Sequence, residues 1–415
     1  MTEDGLIRVW RFALLLIPYA LIYSIQFSNA LILCLLFISI LLFFKSKSRT
    51  FNWRDFLSLA TPFWITLVGL SYSSNIKVGA SILETRLPLL LFPIIFCIKR
   101  PEAKDRIAFL KHYLLSLLVT FFVVLIVAIY RNYKDPWSDV WFNQWYYHYD
   151  NLTEPIDIQP LYLSLFVGLG FLILLMEQLG ITQFDFFNSK RSRSISIGIF
   201  SIFLVLLGVR SIIIILIFLI FLLLLYNKGY AKRKNAIITI VIAGGLIGLS
   251  FLSPVTRERF SGLVTQKFKF SPYSVDRFVI WSVALNHIRT NPSRYIFGDG
   301  TGTSEQLMDC LYKEEGIKWD FEKKTNTHNQ YIGFILDNGF VGCFILISFL
   351  LISAIAFIKK SDWIGLTFIL LMALSLVSEN YLNRQKGVVF FSLFCSLLYL
   401  TRKESKNFKS HHDHE

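Results

Sequence analysis

Three stretches, SVDRFVIWSVALNHIRTNP at 274–292, FGDGTG at 297–302 and THNQYIGFILDNGFVG at 327–342, decide how the fold is organised. They fall in or beside residues 253–329, the only long polar interruption in a chain that otherwise consists of apolar runs. Of the 415 residues, 54% are hydrophobic, more than a soluble protein of this length usually contains. The chain is therefore predicted to cross a membrane many times.

The apolar runs are about as long as a helix needs to cross the hydrocarbon core of a bilayer. Segments that span lipid must satisfy their own backbone hydrogen bonds, so runs of this length are expected to be helical. The fold class is therefore an all-α polytopic membrane protein with about 12 transmembrane helices. The predicted spans are 7–24, 30–44, 56–72, 78–98, 107–130, 159–179, 195–209, 211–226, 236–252, 330–357, 363–378 and 387–400.

This pattern divides the chain into three parts. Residues 1–252 carry transmembrane helices 1–9, residues 253–329 form a long extracytoplasmic loop with an amphipathic helix, and residues 330–415 carry helices 10–12 and a tail. The apolar segment 195–226 is too long for one span, so we predict two short spans with a tight turn near Arg210.

Charge placement predicts the orientation. Lys and Arg are concentrated in alternate short loops, which places those loops and both termini in the cytoplasm and 253–329 outside. Because much of the net charge of +14 lies in these short loops, nucleic-acid binding is not indicated. The five cysteines show neither metal-ligand spacing nor a disulfide framework. The first apolar run has no evident cleavage site after it and is predicted to be the first span.

The topology gathers several ionisable side chains on the outer side. Charged groups within or at the ends of spans usually pair with one another or line a polar cavity. Both alternatives are open for Glu84 and Arg86 in span four. The outer set is Glu84, Arg86, Arg210, Arg277, His328 and Glu379.

Two segments of the long loop could carry chemistry. Residues 274–290 predict an amphipathic helix in which Arg277 and Trp281 are four residues apart and can stack. A guanidinium held in this way suits phosphate, and contact with anionic lipid headgroups is the alternative. His328 opens span ten, where it could take a proton from a hydroxyl or be an ordinary interface residue.

The glycines of FGDGTG resemble a phosphate-cradling loop but lack the strand and helix that such a loop requires. We therefore predict a turn that lets the loop fold back on the membrane. The outer segment 131–158 is rich in Trp and Tyr, which anchor proteins at membrane interfaces and also stack on sugar rings. Both roles remain open for that segment.

Taken together, these residues resemble a known family, the O-antigen ligase/O-antigen polymerase superfamily. Arg210-Ser211 is similar to that family's Ser-Arg element with the order reversed, and Arg86 before LPLLLFP resembles its arginine in an early span. The similar pattern comprises Arg277-x-x-x-Trp281, Pro292, Gly298-x-Gly300 and His328-Asn329 with Gly339 and Gly342 downstream.

The resemblance implies a bacterial inner-membrane glycosyltransferase of the GT-C type, inverting, metal-independent and without a cofactor. It implies an undecaprenyl-diphosphate-linked glycan as donor and, for a ligase, a sugar of the lipid A-core as acceptor in lipopolysaccharide biosynthesis. His328, Arg277 and Arg210 would be catalytic, and Arg86, Trp281 and Asn329 would bind substrate. Membrane lipids would be the other partners.

Other functions share this layout. A polysaccharide polymerase and a protein O-oligosaccharyltransferase belong to the same superfamily. A 12-helix transporter and a non-catalytic scaffold are alternatives of other classes. The absence of an internal repeat and the position of the polar groups at one rim argue against a transporter, whose site lies near the bilayer midplane.

Overall fold

The computed structural model describes residues 2–46, 50–135, 144–182, 184, 186, 189–226, 245, 277–316 and 326–402. Over these ranges the regular structure is helical, and they contain no β-strand. The predicted ninth span at 236–252 lies outside the described residues apart from Gly245, as do 253–276 and the tail after 402. The count of 12 spans and the placement of the long loop therefore remain predictions.

The helices are numbered in chain order over the described ranges. They are α1 (Glu3–Tyr23), α2 (Ile25–Lys45), α3 (Trp53–Leu59), α4 (Thr61–Ser71), α5 (Ile76–Thr85), α6 (Pro88–Ile98), α7 (Ala103–Lys134), α8 (Tyr149–Thr153), α9 (Pro160–Gln178), α10 (Lys190–Leu207), α11 (Arg210–Tyr226), α12 (Arg277–Thr290), α13 (Ser304–Glu314), α14 (Gln330–Lys359), α15 (Trp363–Ser378) and α16 (Gln385–Thr401).

Within the described ranges, six segments are long and apolar enough to cross a membrane: α1, α2, α5 with α6, α7, α9 and α14. Helices α4, α11, α15 and α16 are apolar but shorter. Helix α9 lies at the centre of the bundle and is almost wholly buried against α7, α10, α11 and α15. The structure thus agrees with the predicted helical fold class.

Several helix ends lie where the sequence predicted them, because identifiable caps fix them. Asn329 precedes α14, and its side-chain oxygen accepts the N–H groups of Tyr331 and Ile332. Asp362 caps α15 in the same way by accepting from the Gly365 N–H at 3.0 Å. Capping of this kind satisfies N–H groups that have no partner within the helix.

Two predicted spans are divided. The span at 56–72 consists of α3 and α4, which break at Ala60 before Pro62. The span at 78–98 breaks at Arg86 and Leu87, where α5 ends and Pro88 begins α6. Proline lacks a backbone N–H and is favoured in the first turn of a helix, which accounts for both restarts.

The tight turn within 195–226 is present as predicted. Helix α10 ends at Gly208, whose φ of 60° and ψ of 25° place it in the left-handed region. Glycine adopts this conformation without steric cost, so α10 ends here and α11 begins two residues later. Arg210 is consequently the first residue of α11.

The FGDGTG turn docks against a kink in α14, and the predicted folding of the loop back on the membrane stays a prediction. Gly339 has a φ of 70° and a ψ of −177° within α14, so the regular helical hydrogen bonds are interrupted there. The freed carbonyls of Leu336 and Asp337 accept the N–H groups of Asp299 at 3.0 Å and Gly300 at 2.8 Å. The N–H groups of the turn therefore bind protein carbonyls and do not form a phosphate cradle.

Candidate active site

His328 stands at the junction of the polar loop and α14. Its φ of 43° lies in the left-handed region, which is uncommon for a residue with a side chain. The Asn326 side-chain oxygen accepts the His328 N–H at 2.8 Å and helps to hold this conformation. Such backbone strain persists only where the surroundings impose it, and it is concentrated at functional sites.

The ring of His328 faces the carboxylate of Glu379, the residue that follows the last turn of α15. The Nδ1 atom is 2.9 Å from Oε2 and 3.2 Å from Oε1 of Glu379. A carboxylate accepts at this distance from a protonated Nδ1, which assigns the free lone pair of the neutral ring to Nε2. The pairing orients the ring and favours Nε2 as a proton acceptor.

Arg277 completes this group from the first turn of α12. Its Nη1 donates to the Ser378 carbonyl at 2.7 Å, and its Nη2 lies 3.5 Å from Oε2 of Glu379. The arginine side chain is 40% exposed, whereas that of Glu379 is 10% exposed and that of His328 is 33% exposed. We call Arg277, His328 and Glu379 the His328 cluster.

The charges of the His328 cluster are mutually supportive. Burial alone would raise the pKa of the Glu379 carboxyl, but hydrogen bonding and charge from His328, the charge of Arg277 and the Asn380 N–H outweigh it and lower that pKa. Glu379 is thus an anion at neutral pH. It can stabilise a proton on the histidine ring and hold the guanidinium beside it.

Trp281 supports the cluster from behind. Its Nε1 donates to the Thr327 carbonyl at 3.0 Å, and its ring meets that of Phe278 edge-on at 5.7 Å. Among the described ring and cation contacts, none joins Trp281 to Arg277. The expected stacking of this pair is thus replaced by a hydrogen bond that ties α12 to the residue before His328.

Asn329 was predicted to bind substrate. Its side-chain oxygen accepts two N–H groups at the start of α14, at 3.0 and 3.1 Å, and the residue is buried. Asn329 therefore fixes the position of His328 through the helix start. Any contact with substrate would come in addition to this capping role.

Arg86 is fully buried at the break between α5 and α6. Its guanidinium donates to the Leu382 carbonyl at 3.0 Å, to Thr66 Oγ1 at 2.8 Å and to Asn383 Oδ1 at 2.6 Å. It also lies over the Phe334 ring, 5.0 Å from its centre. The environment differs from that expected of a phosphate ligand, because the three donors are directed at protein. Glu84 in the same predicted span is exposed.

Arg210 opens α11 and is partly exposed. Helix α11 packs against α9 and against α15, the helix that leads to Glu379. The predicted role of Arg210 beside the His328 cluster stays a prediction.

Sequence reasoning placed Glu379 on the outer rim but not among the site residues. It also gave no role to Asp337, a fully buried acid whose Oδ1 accepts the N–H groups of Thr303 at 3.1 Å and Ser304 at 2.8 Å. Asp337 therefore caps α13 from within α14. A lone acid in an apolar run was the available signal for this contact.

The described residues also enclose an apolar cavity and lack a metal-binding cluster. A cavity of about 400 Å³ lies between α4 and α14, and its walls, which include Trp64, Val68 and Val341, are largely apolar. No member of the His328 cluster lines it, and its walls offer little to a diphosphate. Within the described ranges, no three His, Cys, Asp or Glu side chains lie close enough together to hold a metal ion.

Comparison with known proteins identifies one family. Residues 195–347 match the family model described as O-Antigen ligase, a segment that contains Arg210, Arg277 and His328 but neither Arg86 nor Glu379. No curated protein and no solved structure matches the chain. The matched segment carries most of the residues on which the resemblance was based, and the match supports the O-antigen ligase superfamily for this part of the chain.

Proposed function

We propose that this protein is an O-antigen ligase. It transfers a glycan from undecaprenyl diphosphate to a sugar of the lipid A-core at the periplasmic face of the bacterial inner membrane. The observation that carries the proposal is the His328 cluster, in which a histidine is oriented by a carboxylate and an arginine stands beside it, partly open to solvent. The ligase description of the matching family favours this member of the superfamily over a polymerase or a protein-directed transferase.

The leaving diphosphate needs positive charge and hydrogen-bond donors. Arg277 has one edge of its guanidinium fixed by the Ser378 carbonyl and Glu379, so its remaining N–H groups are free to face a ligand. Preorganised donors of this kind stabilise charge that develops in the transition state. We assign Arg210 to the same diphosphate, from the start of α11.

The acceptor hydroxyl needs a base. In the proposed reaction, Nε2 of His328 takes the hydroxyl proton while the hydroxyl oxygen bonds to the anomeric carbon of the donor sugar. The bond between that carbon and the diphosphate oxygen breaks, and the electron pair leaves with the diphosphate. Attack opposite the leaving group inverts the anomeric centre, and Glu379 stabilises the imidazolium that forms.

Complementation of a deletion strain tests the proposal. Strains that carry the wild type, His328→Ala or no copy are compared by resolving lipopolysaccharide on a gel and by analysing lipid-linked polymer. We expect the deletion and the His328→Ala strain to make core-lipid A without attached polymer while polymer accumulates on undecaprenyl diphosphate. A core that carries a single repeat would identify a polymerase. A normal ladder in the deletion would refute transfer by this protein.

A further inference from the structure

We propose that Arg86 is a positioning residue, which sets the two chain segments that carry His328 and Glu379 in register, and that it does not bind the diphosphate. The catalytic role of the His328–Glu379 pair rests on the proposed function, whereas the contacts of Arg86 are seen in the structure itself.

The guanidinium of Arg86 donates hydrogen bonds to three acceptors on two parts of the chain. Its Nε and Nη2 atoms donate to the Leu382 carbonyl and to Asn383 Oδ1, both in the segment that joins α15 to α16. Its Nη1 atom donates to Thr66 on α4. The planar fork of arginine holds three acceptors in fixed directions, so this one side chain locks the α15–α16 connection against the neighbouring helix.

Hydrogen bonds of Gln330 link the α15–α16 connection to the segment that carries His328. Asn383 Oδ1, besides accepting from Arg86, accepts from Gln330 Nε2 at 3.2 Å. Gln330 Oε1 in turn accepts the Leu382 N–H at 2.8 Å. Gln330 is two residues from His328, and Leu382 is three residues from Glu379. Arg86 therefore binds at Asn383, the residue through which the segment of Glu379 contacts the segment of His328.

A third set of contacts joins the segments closer to the cluster. Asn380 Nδ2 donates to Thr327 Oγ1 at 3.2 Å, and the Asn380 N–H donates to Glu379 Oε1 at 3.1 Å. The distance between His328 and Glu379 thus depends on a series of hydrogen bonds between residues 327–330 and 379–383. Arg86 is the only charged side chain among the described members of this series that lies outside the His328 cluster.

Burial separates Arg86 from a ligand. The residue is 1% exposed, and the three acceptors of its guanidinium are neutral. Within the described ranges no carboxylate pairs with it directly, although Asp337 is near enough to act on it electrostatically. A charge buried in a membrane protein is costly unless its hydrogen bonds are satisfied, so exchanging these acceptors for phosphate would disrupt the helix break around it.

The test measures the geometry of the cluster without requiring transfer activity. Purified protein is treated with diethyl pyrocarbonate, which reacts at an unprotonated imidazole nitrogen, and the rate of His328 modification at one fixed pH is measured by mass spectrometry. The wild type is compared with Glu379→Gln, Arg86→Gln and a matched control, Arg289→Gln, which removes an exposed positive charge from α12.

Glu379 accepts from Nδ1 of His328 and so leaves the lone pair of the ring on Nε2, and Glu379→Gln should therefore lower the rate of His328 modification. If Arg86 positions this pair, Arg86→Gln lowers the rate as well, and Arg289→Gln leaves it unchanged. A folded Arg86→Gln protein with the wild-type rate would overturn the proposal, whether or not the protein transfers glycans.

A second pair of variants serves if Arg86→Gln does not fold. Asn383→Asp keeps the oxygen that accepts from Arg86 and should retain the wild-type rate of His328 modification, whereas Asn383→Leu removes it and should lower the rate. Equal rates for these two variants would contradict the proposal.

Kinetics distinguishes positioning from phosphate binding. In a transfer assay with purified undecaprenyl-diphosphate-linked glycan, displacement of the pair should lower kcat by about 10²-fold and leave the donor KM nearly unchanged. A raised donor KM with unchanged kcat and an unchanged rate of His328 modification would instead identify a diphosphate ligand. An inactive wild type would reject the proposed function while the modification series still tests the role of Arg86.

Discussion

Each end of α15 carries an acidic residue paired with an arginine, and the two pairs differ in burial and geometry. At one end Asp362 meets Arg106, with two contacts of 2.5 and 2.7 Å between side chains that are 3% and 4% exposed. At the other end Glu379 meets Arg277 at 3.5 Å, and the arginine is 40% exposed. The first pair is closed and bidentate, whereas the second leaves donors available.

The difference indicates which pair is structural. Asp362 uses the same carboxylate to cap α15 and to bind Arg106, which fixes α7 against that helix end. Glu379 divides its carboxylate between a histidine ring, an arginine and the Asn380 N–H. An arginine that is held by one edge and open at the other is suited to bind an anion.

Loss of the histidine should have the largest effect on activity. We expect His328→Ala to lower the rate of glycan transfer by about 10² to 10⁴-fold, because the acceptor hydroxyl loses its base. Thermal unfolding in detergent should change little, because the ring is 33% exposed. If transfer by purified His328→Ala protein equals that of the wild type, the site is misassigned.

Breaking the closed pair should instead affect stability. Arg106→Ala leaves the Asp362 charge buried and unpaired, which typically costs about 3–5 kcal/mol. We expect a marked fall in Tm and in the yield of folded protein, with wild-type transfer per folded molecule. The double variant Arg106→Leu/Asp362→Leu removes both charges and should recover much of the stability. If Arg277→Ala is unstable and Arg106→Ala is stable, the structural pair is Arg277–Glu379 and the account of the two pairs is wrong.

Changing the open pair should affect substrate use. Arg277→Ala should lower transfer by about 10² to 10³-fold, as expected for removal of one preorganised donor to a developing charge. Arg277→Lys keeps the charge but loses the fork, so it should recover only part of the activity. Arg294→Ala is the control, because it removes an exposed arginine paired with Asp299 in the same loop. Equal losses in the two alanine variants would argue for a general charge effect.

The smallest expected effect is the pH dependence of stability at Glu379. Because its pKa is lowered in the folded protein, its contribution is present above the ordinary pKa of glutamate, about 4.3, and is lost as pH falls through the lower folded value. The Tm difference between wild type and Glu379→Gln should therefore be constant near neutral pH and shrink in acid. A difference that grew in acid would contradict the lowered pKa.

The sequence was a good guide to the helices for a simple physical reason. An apolar run must fill the hydrocarbon core, so its length predicts 330–357, 363–378 and 387–400 closely. Hydrophobicity does not register a break at Pro62 or Pro88, where a helix restarts without leaving the apolar environment. Those breaks could have been predicted only from the preference of proline for the first turn of a helix.

The sequence pattern predicted Arg277 and His328 as site residues, and that assignment stays a prediction. Their pairing with Glu379 was not predicted, because Glu379 lies 51 positions after His328 and meets it only through the packing of α14 and α15. Arg86 was expected to bind substrate because it resembles the family's arginine in an early span. Its partners are neutral groups on segments distant in sequence, which a single sequence does not reveal.

Reconstituted transfer is the direct test of whether the His328 cluster transfers glycans. Wild type, His328→Ala and Glu379→Gln are placed in proteoliposomes with undecaprenyl-diphosphate-linked glycan and core-lipid A, and the joined product is quantified. We expect product from wild type, almost none from His328→Ala and strongly reduced product from Glu379→Gln. Equal product from all three proteins would contradict a role of the cluster in transfer.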